Sequence, residues 1–213
     1  MKTNQRAITF FLLAISLLSL SCSLSGKAAS TSTPIHPISI PGWEKFSGAG
    51  IELWMPASFE GGDLANDLDV ILKQLRALGP EYQKVADMIE QNPESFVLLV
   101  YDSKIGATGF LTNVNVTRQQ VLSGMKLDAY LDANSSQLGT LGFTVLEQKI
   151  VQLDNYEAGR LVIQSDALKA KEVMYIIKVK NTMWITTYTT GISEFSSRLP
   201  VFEQSANTIK ITP

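Results

Sequence analysis

Residues 172–190 read EVMYIIKVKNTMWITTYTT, and this stretch decides the fold. Val173, Tyr175, Ile177 and Val179 face one way while Lys178 and Lys180 face the other, the period of a strand with two distinct faces. Asn181-Thr182 then supplies the residue types of a two-residue hairpin turn. Residues 183–190 are rich in aromatic and β-branched side chains, which suit a pleated surface. Upstream, residues 143–153 and 156–165 have the same character and are separated by Asp154-Asn155. Four strands joined by short turns predict an antiparallel meander.

The rest of the chain adds helices to that sheet. In residues 63–78, Leu64, Leu68, Ile71, Leu72, Leu75 and Leu78 recur at three- and four-residue steps and form one apolar stripe. Asp63, Asp67 and Asp69 cluster at its start, where acids complement the helix dipole. Gly79 closes this helix and Pro80 opens a second over residues 81–91, with Tyr82, Val85, Met88 and Ile89 inward and Asn92-Pro93 as the stop. The unbroken apolar run FVLLVY at 96–101 predicts a central strand covered on both faces, and LTNVNVT at 111–117 alternates. A third helix is expected over 127–138, with Leu127, Tyr130, Leu131 and Leu138 inward. A last one is expected over 193–205, burying Phe195, Leu199 and Phe202, with Ser193 and Ser196 at capping spacing. Two short strands, 43–46 and 50–55, open the domain around Ser47-Gly48, and residues 209–211 end it as a short extended piece. The order is α+β: helices covering one or both faces of a single antiparallel sheet.

The first 41 residues have a different character. Lys2 and Arg6 precede the uncharged, mostly apolar AITFFLLAISLLSL at 7–20. That is the length of a signal-peptide core and shorter than the roughly 20 residues of a spanning helix. Cys22, the only cysteine of the 213 residues, follows Leu18-Ser19-Leu20-Ser21. A lone exported cysteine has no partner within its own chain. The run resembles the lipobox of bacterial lipoproteins, whose cysteine takes a diacylglyceryl group and becomes the acylated amino end after cleavage. Ser19 stands where that motif prefers leucine, and Ser19-x-Ser21 also suits ordinary signal peptidase. The expectation is a signal peptide over 1–21, a lipid on Cys22, a tether over 22–41 and one folded domain over 42–213. The tether, with three prolines and almost no charge, would reach roughly 25 Å as a coil. Ser23 leaves the inner-membrane retention aspartate absent, which allows an outer-membrane location where the organism has one.

Composition narrows the function. Without Lys2 and Arg6 the chain keeps 16 basic against 20 acidic residues, with no basic run. Nucleic acid is therefore not an expected partner. The single histidine, His36, lies between two prolines of the tether, so triads and histidine-based metal sites are not expected. No phosphate-binding or dinucleotide glycine motif is present, and no cofactor is implied. The carboxylates Asp102, Glu147, Asp154, Glu157 and Asp166 fall mostly at strand ends, turns and outward positions, with no pair marked for acid–base work. Trp43, Trp54, Trp184, Tyr156 and Tyr188 could line a pocket but are more often core.

Particular segments resemble the PsbP-like (Mog-like) superfamily, to which DcrB- and LpqN-type lipoproteins belong. They are Trp43-x-x-Phe46 with Gly50-Ile51-Glu52-Leu53-Trp54-Met55-Pro56, then Ala158-Gly159-Arg160-Leu161-Val162, then Met183-Trp184-Ile185-Thr186-Thr187-Tyr188 followed by Glu194-Phe195. The resemblance implies an α/β/α sandwich around a central antiparallel sheet and implies no catalytic residue. The expected function is that of a non-enzymatic, lipid-anchored accessory protein outside the cytoplasm, held to the membrane through Cys22 and acting on a protein partner. The alternative is a small-molecule or lipid-binding lipoprotein with a pocket between sheet and helices.

Overall fold

The computed structural model describes residues 40–106 and 108–212. Cys22, His36 and the expected signal peptide lie outside the described residues, as does all but the end of the tether.

The chain runs β1 (Trp43–Gly48), β2 (Ile51–Pro56), β3 (Phe59–Asp63), α1 (Leu64–Leu78), α2 (Gln83–Gln91), β4 (Leu98–Asp102), β5 (Asn113–Gln120), α3 (Leu127–Thr140), β6 (Thr144–Gln152), β7 (Glu157–Ser165), β8 (Ala170–Val179), β9 (Thr182–Gly191), α4 (Phe195–Asn207) and β10 (Lys210–Ile211). Seven strands form one antiparallel sheet in the order β3-β4-β5-β9-β8-β7-β6. The meander read from residues 143–190 is its larger part. The hairpin turn between β8 and β9 sits one residue earlier than expected. Val179 pairs with Thr182, so Lys180 and Asn181 make the turn, and Lys180 takes the left-handed conformation at φ 55°.

Alternation along each strand feeds two opposite faces. On one face Val173, Tyr175 and Ile177 of β8, with Trp184 and Tyr188 of β9, join Phe202 of α4 and Leu53 and Met55 of β2 in one core. On the other, Met174 and Ile176 pack with Tyr130, Leu131 and Leu138 of α3. Farther along that face, Leu99 and Tyr101 of β4 pack under Leu72 and Leu75 of α1 and Ile89 of α2. Leu64, Ile71, Leu72 and Leu75 are the buried residues of the α1 stripe, each worth about 1.5–3 kcal/mol if fully removed from water.

The layers are therefore α1–α3, the seven-stranded sheet, and α4. The single sheet expected from the sequence is corrected: β1, β2 and β10 form a separate three-stranded sheet that shares the outer layer with α4. Non-local pairing makes it, since β10 joins β2 through Ile211 opposite Ile51. A second correction concerns β3, whose sequence FEGGD carries two glycines. Gly61 has φ 122°, and a Cβ there would sit 2.2 Å from the Leu99 carbonyl oxygen. Glycine is thus required for the close pairing of β3 with β4, although it lowers strand propensity. Third, α4 begins at Phe195 with Glu194 as N-cap and no side-chain cap, so the Ser193 cap is not formed. Instead, the Ser197 hydroxyl donates to the Glu194 carbonyl at 2.8 Å.

Candidate functional site

Asp63 caps α1, accepting from the Ala65 amide at 2.9 Å and from Asn66 Nδ2 at 2.8 Å. That is the capping role read for the acidic cluster. Asp102 is the last residue of β4, one of the strand-end positions expected of these carboxylates. It is buried and paired with Arg198 Nη1 at 2.6 Å, tying β4 to α4. Glu147 pairs with Arg160, a buried guanidinium that also meets Glu203 at 3.1 Å and the Tyr175 hydroxyl at 3.4 Å. These carboxylates serve ion pairs, and burial raises the Tyr175 hydroxyl. Among the described residues, no group of three or more histidine, cysteine, aspartate or glutamate side chains is placed to hold a metal. No described helix is long and apolar enough to cross a membrane.

The aromatics singled out in the sequence do not line the main cavity. Trp184 and Tyr188 are core, and burial pushes the Tyr188 hydroxyl far up while it bonds Ser205 at 3.0 Å. Tyr156 holds the amide of Ile211 at 2.9 Å, and Trp43 and Trp54 lie half-buried on the small sheet.

What the structure brings together is a cavity of about 540 Å³ on the helical face of the sheet. Its inner wall is Leu75 of α1, Ile89 of α2, and Leu99 and Tyr101 of β4. Its rim comes from the segments linking β4 to β5, β7 to β8 and β9 to α4, including Phe110, Leu168 and Ile192. The lining is mostly apolar, and the size falls in the range of ligand pockets, roughly 300–1,000 Å³. Tyr101 donates to Gln74 at 3.2 Å, and burial with the nearby Glu60 charge keeps its phenol protonated far above the usual range. Tyr82 donates to the Gly109 carbonyl at 3.1 Å, joining α2's entry to the rim. The Thr108 hydroxyl donates to Glu194 at 2.5 Å, joining the rim to the start of α4.

A polar strip runs inward from the cavity floor on the same face. Tyr101 opposes Asn113, Asn113 opposes Thr189, and Thr189 opposes Glu172, so one row crosses four strands. The next row pairs Asn115 with Thr187. All these residues are buried, and the Oδ1 atoms of Asn113 and Asn115 and the hydroxyl of Thr187 have no partner among the described residues. Unpaired buried acceptors are rare and costly. Burial also pushes the Glu172 carboxyl up to about 7. The alternation of LTNVNVT disclosed this strip's period, but gave no sign that its polar side is also interior.

No protein-family model and no curated protein matches this chain. Among solved structures, it is similar to the solution structure of cyanobacterial PsbP from Synechocystis sp. PCC 6803. The TM-score is 0.50 at 11% identity, over 84% of this chain and 98% of that one. LpqN, involved in cell envelope biogenesis of Mycobacterium tuberculosis, gives 0.49 at 11% identity over 78% and 86%. The Saccharomyces cerevisiae Ran-binding protein Mog1p gives 0.44 at 11% identity over 76% and 90%. The fold is thus α+β of the PsbP-like kind, as the sequence resemblance implied. At such identities the likeness is one of fold, not of activity.

Proposed function

We propose that the chain is a lipid-anchored, extracytoplasmic accessory protein without catalysis of its own, whose molecular act is to bind an apolar-bodied small molecule or lipid. The cavity between α1, α2 and the sheet carries this reading. It is large, mostly apolar and fitted with few polar groups, the usual make-up of a small-molecule site. It reverses the order of the two sequence expectations, placing ligand binding ahead of action on a protein partner. Anchoring rests on Cys22 and the segment around it, and a second acyl chain beside the first would make attachment stable.

The binding half is tested with the purified mature chain and the apolar fluorophore N-phenyl-1-naphthylamine. The expected result is saturable binding at one site, abolished by Leu99→Trp, which fills the inner wall, with an unchanged circular dichroism spectrum. Absence of saturable binding, or equal binding by the folded variant, overturns it. The anchoring half is tested by the mass of the amino-terminal peptide from membranes. A diacylglyceryl mass on Cys22, with release of Cys22→Ala into the soluble fraction, is expected. An unmodified Cys22 overturns it.

A further inference from the structure

The polar groups of the cavity are unequal in a way that selects among apolar ligands. Lys169 is the only charged residue lining it, among the described residues. No described carboxylate forms an ion pair with its ammonium. Its backbone is fixed in the left-handed region at φ 54°, which a lysine rarely adopts. Two main-chain bonds hold it there: Lys169 donates to the Asp166 carbonyl at 3.3 Å, and Ile192 donates to the Lys169 carbonyl at 3.1 Å. This is the geometry of the β7–β8 hairpin turn, and it fixes where the lysine leaves the backbone at the cavity's edge. Lys169 is exposed, while the wall behind it, Leu75, Ile89 and Leu99, is deeply buried. The cavity therefore has a mostly apolar interior, with Tyr101 and Asn113 on its floor, and one cation among its lining residues at the edge, while the Glu194 carboxylate is held beside the rim by Thr108.

Size and placement agree with this asymmetry. At ~30 Å³ for each water-sized group, the volume of about 540 Å³ holds at most about 18 methylene-sized groups. The cavity's rim also lies at the end of the domain where the chain enters it. The Ala57 amide donates to the Gly42 carbonyl, and the Ser103 amide donates to the Ser58 carbonyl, so the entry segment sits beside the start of the β4–β5 rim segment.

We propose that the cavity takes a single-chain amphiphile with an anionic head, its chain against Leu75, Ile89 and Leu99 and its carboxylate or phosphate on Lys169 Nζ. The inference rests on the ligand-binding reading above. A neutral head would leave the lysine unmatched, and an ammonium head would oppose it.

The test is displacement of N-phenyl-1-naphthylamine by palmitate, hexadecyl phosphate and 1-hexadecanol. Each is used below its aggregation limit at low salt, with wild type and Lys169→Gln. The two anions are expected to bind wild type roughly two- to fivefold tighter than hexadecanol, the upper range of one exposed ion pair. In Lys169→Gln that preference disappears while hexadecanol binds as before. Tighter palmitate identifies a fatty acid head and tighter hexadecyl phosphate a lysophospholipid-type head; either supports the proposal. Equal affinity for all three in wild type overturns the anionic head and leaves the ligand-binding reading intact. Failure of all three to displace a bound fluorophore overturns the single-chain occupant. Failure of the fluorophore itself to bind overturns the ligand-binding reading.

Discussion

Replacing Glu172 by glutamine should stabilise the protein at alkaline pH and leave it almost unchanged in acid. The carboxyl sits on the helical face of β8, opposite Thr189 and Ile163 and beside Met174, and it has no hydrogen-bond partner among the described residues. Burial raises it from its ordinary 4.5 to about 7. Between those two values the folded chain holds a proton that the unfolded chain has released. Stability from this group is therefore complete below pH 4.5, falls as pH rises, and is gone above pH 7. At 1.36 kcal/mol for each pH unit of displacement, the ionised form costs the fold about 3 kcal/mol. Glutamine has nearly the same shape and no charge to bury. The expected gain for Glu172→Gln is thus about 3 kcal/mol at pH 8, a rise in Tm of roughly 6–10 °C for a domain of this size, shrinking toward zero by pH 4.5. Urea denaturation of both proteins from pH 4 to 8 measures the difference directly, and titrations common to both cancel. A wild-type-to-variant difference that stays flat across this range would refute the argument, as would a glutamine variant less stable at pH 8.

Two further substitutions test the framework that holds the cavity. Gly61→Ala should cost more than about 3 kcal/mol or prevent folding, because left-handed backbone and a clash with the Leu99 carbonyl act together. Gly62→Ala meets only the movable Asp67 carboxylate and should cost under about 1.5 kcal/mol by the same chemical denaturation. Arg198→Ala should lose about 2–3 kcal/mol by stranding the buried Asp102 charge. Adding Asp102→Asn should recover part of that loss, and a double variant no better than the single would exclude the ion pair as its cause.

How far the sequence discloses this molecule depends on the range of the interactions involved. The leucine stripe of α1 and the alternation of β8 are local patterns, and both helix and strand follow from them. β3 carries no local strand pattern because Gly61 is there for the Leu99 carbonyl of its neighbour, a reason absent from its own segment. The small sheet escaped because β10 is two residues long and its partner lies near the opposite end of the chain. The cavity draws its wall from α1, α2, β4 and three separate linking segments, so no stretch of sequence contains it. Lys169 lies in a turn and Glu172 at the start of an alternating stretch, and neither position carries a local mark of its surroundings. Only register and packing set the first at a cavity's edge and the second at the end of a buried polar row.

The pairing of β10 with β2 bears on timing. Ile211 opposes Ile51, and the Thr212 amide closes onto the Gly50 carbonyl at 2.8 Å. One edge of β2 therefore waits for the last residues to be made, and contacts so distant in sequence form slowly. For a chain threaded through a membrane channel from its amino end, this delay is useful. Under the export proposed above, the small sheet would close only after residues 210–212 had reached the far side.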